Sequence, residues 1–193
     1  MKNLSRILMF IASMLMLLLF AFPIWNITLE APQYPEGIKM YIWINKITGS
    51  DEFTLQNVNI LNHYIGMKAI TPESIPELTY FPYIIIGLTI LGVVFAIIGK
   101  KILYLVWSLL LMVLGALGIY DFYLWEYDYG HNLNPTAQIK IPGMSYQPPL
   151  LGEKQLLNFL AKSYPDMGTY AMILASIIAF VAFMIVYRRK NIS

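Results

Sequence analysis

The stretch IIGKKIL, residues 97–103, sets a glycine and two lysines between two long apolar runs. Tyr80–Ile98 before it and Ile102–Tyr120 after it contain no charged side chain. At a rise of about 1.5 Å per residue, each run is close to the ~20 residues that cross ~30 Å of hydrocarbon as a helix. A charge at the middle of a bilayer costs several kcal/mol, so Lys100 and Lys101 mark a turn in water between two spanning helices. Two further runs, Ile7–Phe22 and Tyr170–Tyr187, match in length and apolarity. The fold expected is therefore an all-α membrane protein with four transmembrane helices.

Composition agrees. The chain has 193 residues, 58% hydrophobic and 12% charged, with a mean hydropathy of +0.61. A soluble domain carries about a quarter charged residues. There is no cysteine, which excludes disulfides, thiolate metal sites and cysteine nucleophiles. The basic start MKNLSR before an apolar core is compatible with a cleaved signal peptide. The long apolar run and the bulky FAFPIW after it favour a retained helix, extended into the interface by PIWNI.

Charge orients the spans. Lys2, Arg6, Lys100, Lys101, Arg188, Arg189 and Lys190 flank one set of helix ends, whereas all 11 acidic residues fall in 23–79 and 121–169. The positive-inside rule then puts both termini and the lysine turn in the cytoplasm. Trp25, Trp43, Tyr80, Tyr83, Tyr120, Tyr123, Trp125, Tyr127 and Tyr170 gather at the opposite ends, where amphipathic rings favour the headgroup zone. The expected divisions are helix 1 in 1–24, an outer segment in 25–79, helices 2 and 3 in 80–120, a second outer segment in 121–169, and helix 4 with a basic tail in 170–193.

The two outer segments are expected to pack together as a small mixed cap, since long structureless loops are uncommon. APQYPEG, TGSDE, GHNLNP and SYQPPLLG carry turn signals. IKMYIWINKI reads as a strand, and DEFTLQNVNILNHYIGM as a helix with Leu55, Val58, Asn62 and Ile65 on one face. LLGEKQLLNFLAKSY, with leucines at 151, 156, 157 and 160, reads as an amphipathic helix.

Within the expected helix, His63 and Met67 are four residues apart and share a face. Imidazole with thioether suits copper, Cu(I) above all. His131 and Met144 lie in the second outer segment, Met40 is another external thioether, and Asp128 is placed to orient His131. The plainer reading is that histidines avoid spans in any case and that Met67 is packing. In YDFYLWEYDYGH, Asp121, Glu126 and Asp128 interleave with aromatics; they read either as water-facing acids on a helix end, with Lys140 or Lys154 as partners, or as a docking surface. Phosphate-binding glycine loops, metalloprotease histidine pairs, serine elbows and basic patches for nucleic acid are absent. The NIT at Asn26 sits too near the membrane for ready glycosylation, and the NIS at Asn191 is cytoplasmic on this topology.

APQYPEG, NILNHYIGMKAI, ESIPEL, YDFYLWEYDYGHNLNP and IPGMSYQPPLLGEKQLLNF resemble a family of small bacterial four-helix membrane proteins encoded near copper-handling and nitrous oxide reductase maturation genes. The resemblance spans about residues 25–170. It implies a multi-pass protein of the bacterial inner (cytoplasmic) membrane with periplasmic loops and a link to copper delivery or reductase assembly. His63, Met67, His131 and Met144 fall within the matching motifs and form the expected metal set. The absence of cysteine departs from thiolate copper chaperones. The leading expectation is thus a non-enzymatic accessory protein that binds copper transiently, in contact with membrane lipid and with a membrane or periplasmic protein. The alternative is a metal-free scaffold docking an envelope partner through Asp121, Glu126 and Asp128. A quinone-reactive subunit is a third, suggested only by the aromatic belt.

Overall fold

The structure is a computed structural model that describes residues 2–190; Met1 and 191–193, including the Asn191 sequon, lie outside the described residues. Four helices are long and apolar enough to cross a membrane: Asn3–Phe20, Glu77–Ile98, Lys101–His131 and Met167–Arg188. The first comprises α1 (Lys2–Leu15) and a tighter 3₁₀ stretch, Met16–Phe20. The others are α3 (Glu77–Ile98), α4 (Lys101–His131) and α5 (Met167–Lys190). Between α3 and α4 only Gly99 and Lys100 intervene, and Gly99 takes the left-handed φ of 74° that lets α3 stop and the chain reverse. The outward surfaces of the helices expose side chains such as Ile97, Met112 and Val113 at more than half their area. So extensive an apolar surface is tolerated in lipid and not in water.

Small residues set the close contacts within the bundle. Ala175, Ala179 and Ala182 on α5 and Ala12 on α1 are fully buried, and α1 packs more heavily on α5 than on any other element. Without side-chain bulk the backbones approach closely, which is how helices associate where no hydrophobic driving force separates protein from solvent. Trp107 donates to the Leu88 carbonyl at 2.9 Å, tying α4 to α3 in the buried core.

The all-α fold class, expected with only a small mixed cap, needs correction in its share of strand. Residues between the helices form a five-stranded antiparallel sheet in the order β3-β2-β1-β5-β4. Its strands are β1 (Trp25–Ala31), β2 (Tyr34–Ile42), β3 (Ile47–Gly49), β4 (Gly152–Leu156) and β5 (Phe159–Pro165). The strand read in IKMYIWINKI is present as the end of β2 and the start of β3. PIWNI does not prolong the first helix: Trp25 opens the central strand, paired with Ile42 on one side and Pro165 on the other. LLGEKQLLNFLAKSY is not an amphipathic helix but the β4–β5 hairpin, closed by Leu157 and Asn158. Pairing of β5 with the whole of β1 satisfies a row of backbone groups that a lone helix would have bonded internally, and tertiary context overrides four leucines at helical spacing.

A helix does form within 51–67, as α2 (Thr54–Ile65). It packs on β2 and β3 and shares a second apolar core with Ile27, Ile38, Met40 and Tyr129. Tyr129 belongs to α4, whose 31 residues span about 46 Å, well beyond ~30 Å of hydrocarbon. The turns Asp121–His131 therefore continue past the apolar run and become part of the sheet end of the molecule.

Candidate functional site

Joined by a two-residue turn, α3 and α4 nevertheless touch much less than α1 touches α3 or α4 touches α5. Between them lies a cleft of about 500 Å³. On α3 it runs from Glu77 to Leu88, and on α4 from Leu111 past Asp121 to Trp125. Inward from Glu77 or Asp121, either path is roughly 15 Å along the helix, about half the hydrocarbon thickness. Trp25, Ile42, Trp43 and Ile47 from the sheet end close its top, and Leu19 and Met172 back it from the other two helices. Tyr80, Ile84, Leu117 and Ile119 line it while being 42–62% exposed, so the cleft opens at the bundle surface. Gly118 faces empty space: a Cβ there would meet nothing within 4 Å.

Few polar groups line this cleft, and they sit at its sheet end. Glu77 and Asp121 are close enough to repel each other, and neither has a basic partner among the described residues. Trp125, one turn beyond Asp121, also lines the cleft; its indole N–H is buried without an acceptor. By contrast, the Trp25 and Trp43 indoles donate to Ser163 at 2.8 Å and Thr48 at 2.9 Å. An apolar body of small-molecule size with a few convergent polar groups is the usual form of a ligand site.

The residues expected to hold copper lie elsewhere. Gly66, at φ 82°, ends α2, and the Met67 N–H returns to the Asn62 carbonyl at 2.9 Å. This capping geometry takes Met67 off the face that carries His63 and packs it against the second core. His63 is exposed, with its ring nearest Tyr64. His131 is also exposed; its ring stacks on Tyr127 at 4.0 Å, with Nδ1 3.0 Å from the Tyr127 carbonyl oxygen. Met144 is half-buried in the connection to β4, and Met40 is in the core. What the structure does join is backbone: Asn134 N–H donates to the Gly66 carbonyl at 2.8 Å and Ile139 N–H to that of Tyr64 at 2.9 Å. Among the described residues no three His, Cys, Asp or Glu side chains cluster as a metal site, a count that leaves thioethers aside.

The three acids have three different environments. Asp121 is at the cleft mouth. Asp128 accepts from Lys68 at 2.7 Å and from Asn132 at 3.2 Å, bonds that hold its carboxyl below the ordinary value. Rather than orienting His131, it clamps α4 to the chain after α2. Glu126 is fully buried, so it offers no docking surface. Neither of its oxygens has a hydrogen-bond partner, and burial pushes the carboxyl up to about 8 despite the opposing charge of Lys154. The Tyr146–Gln147 strap crosses α4 one turn further on, where the Tyr146 N–H donates to the Gly130 carbonyl at 2.9 Å. Lys154 is held to that strap by the Gln147 carbonyl at 3.0 Å.

Glu77 and Gly118 were not singled out in the sequence, although a signal for the first existed. Glu77 precedes the Gly99–Lys100 turn by nearly as many residues as Asp121 follows it, and in an antiparallel hairpin equal counts reach equal depth. No protein-family model, curated protein sequence or solved structure matches this chain.

Proposed function

We propose that this chain is a binding protein of the bacterial inner membrane, with its sheet on the periplasmic side, that holds an apolar chain from the bilayer between α3 and α4. The observation that carries the reading is the cleft: about 500 Å³, apolar along its length and open at the bundle surface. A whole transmembrane helix, about 10 Å across and 30 Å long, needs roughly 2,400 Å³ and does not fit. A single aliphatic chain does. The sidedness rests on the basic residues at the helix ends away from the sheet. The role is non-enzymatic: lipid-linked support of an envelope process.

Trp25, Trp43 and Trp125 line the cleft and serve as reporters. In nanodiscs containing phosphatidylcholine brominated in mid-chain, their fluorescence should fall through a saturable component. Gly118→Leu, which fills empty space, should remove that component while the protein stays folded. Identical quenching curves for the two proteins would defeat the reading.

Copper carriage by His63, Met67, His131 and Met144, with Cu(I) preferred, is the second reading. It is favoured by the hydrogen bonds that seat residues 134–139 on the end of α2, which join the segments bearing both histidines. Titration of the purified protein with Cu(I) against a competing chelator tests it. Undiminished uptake by a His63→Ala, His131→Ala variant would dismiss these histidines.

A further inference from the structure

The mouth of the cleft has a chemical character that its walls lack. Glu77 and Asp121 are neighbouring carboxylates, half-buried, on opposite helices at the end of an apolar path. Glu30 and Glu153 share Lys162, and Asp128 has Lys68, whereas Glu77 and Asp121 have no such lysine among the described residues. Two like charges at an apolar boundary without a cation raise the free energy of the folded protein. The unmet demand is therefore for one cation with N–H donors, at the top of a path about one leaflet deep.

We propose that the occupant is a zwitterionic phospholipid with a primary-amine head group, its ammonium between Glu77 and Asp121 and one acyl chain along the cleft. The second chain stays in the bilayer, against the exposed faces of Ile84 and Leu117. A primary ammonium supplies N–H donors to both carboxylates, in charge-assisted bonds that a quaternary ammonium cannot make. An anionic glycerol head group meets two like charges. The proposal rests on the reading of the cleft as a chain-binding site and adds the choice of head group.

The test is native mass spectrometry of the full chain released from detergent with equal amounts of phosphatidylethanolamine, phosphatidylcholine and phosphatidylglycerol of one chain composition. The ethanolamine lipid should be retained at least about 5-fold over either competitor, a modest demand for charge-assisted hydrogen bonds. Glu77→Gln with Asp121→Asn should bring the three lipids to equal retention, and each single variant should fall between. Gly118→Leu should lose all three. Equal retention by the unaltered protein, or a preference that survives the double substitution, overturns the head-group assignment and leaves the cleft standing. Retention of none of them, or retention indifferent to Gly118→Leu, overturns the cleft as a chain site and the head-group proposal with it.

Discussion

Glu126 should make the protein less stable as pH rises through neutrality, opposite to the behaviour of most carboxylates. Its side chain is fully buried, both oxygens lack partners, and its carboxyl is pushed from 4.5 to about 8 by the loss of water. The folded state therefore holds a proton that the unfolded chain releases above pH 4.5. The contribution is fully present below that value and is lost progressively as pH climbs toward 8, because the unfolded state binds fewer protons across the window. At about 1.4 kcal/mol per pH unit the full interval is on the order of 5 kcal/mol, a ceiling that water penetration and local relaxation reduce. Glu126→Gln keeps the shape and cannot ionise. Thermal unfolding of both proteins in one detergent at pH 5, 6, 7 and 8 should give similar midpoints at pH 5. The midpoints should then diverge, the variant being the more stable at pH 8. A difference of 2 kcal/mol would be ample to detect, since even 1 kcal/mol moves the midpoint of a domain this size by about 2–4 °C. Parallel curves across that range would show that Glu126 is hydrated or paired, and the account of its environment would fail. Lys154→Met offers a check from the other side. Removing the cation that opposes the shift should carry the loss on to higher pH at the same limiting slope, since a single proton is involved.

Two further substitutions probe the sheet end. Lys68→Ala breaks the clamp to Asp128, whose partners are both about half-exposed; the loss in an unfolding assay should be under about 1 kcal/mol and should shrink in high salt, as for other exposed pairs. Leu157→Gly should stabilise the β4–β5 hairpin by up to about 1 kcal/mol, because Leu157 has a φ of 55° that glycine adopts without steric cost. A net destabilisation, read by chemical unfolding, would mean that the leucine side chain contributes more than its backbone costs.

The spans could be read from sequence because their signal is local: length and lack of charge suffice, and Lys100–Lys101 falls within one residue of the observed turn. The sheet was hidden for two distinct reasons. In WNITLEA the alternation was present, with Asn26, Thr28 and Glu30 between Ile27, Leu29 and Ala31, but its nearness to the first span made it look like the tail of a helix. In FLAKSYP the inward residues Ala161 and Ser163 are small, so burial left little hydrophobic trace, while the leucines around them imitated a helical stripe. The His63–Met67 pairing assumed a helix that continued through Gly66, and the left-handed conformation there breaks it. Gly66 was visible as a stop signal. Whether the chain would turn before or after Met67 depended on the second core that receives its side chain, and no local pattern reports that.

The sheet also explains why two helices joined by so short a turn stay apart at their far ends. Trp43 and Ile44, in the β2–β3 connection, enter the bundle from above, and Ile44 is buried in the helical core at 2% exposure. Trp43 and Ile42 occupy the space over the cleft that α3 and α4 would otherwise close by packing on each other. The Trp43 indole is fixed by Thr48 on β3, and β3 is fixed by β2, so this wedge belongs to the sheet and not to the helices. α4 is drawn the other way: Phe122 and Trp125 pack against the second core with Trp25, beyond the end of the hydrocarbon span. Each helix is thus held by a partner other than its neighbour in the hairpin, α3 by α1, and α4 by α5 and, through Phe122, Trp125 and Tyr129, by the second core. A gap between them is the geometric consequence, and the sheet end controls its width.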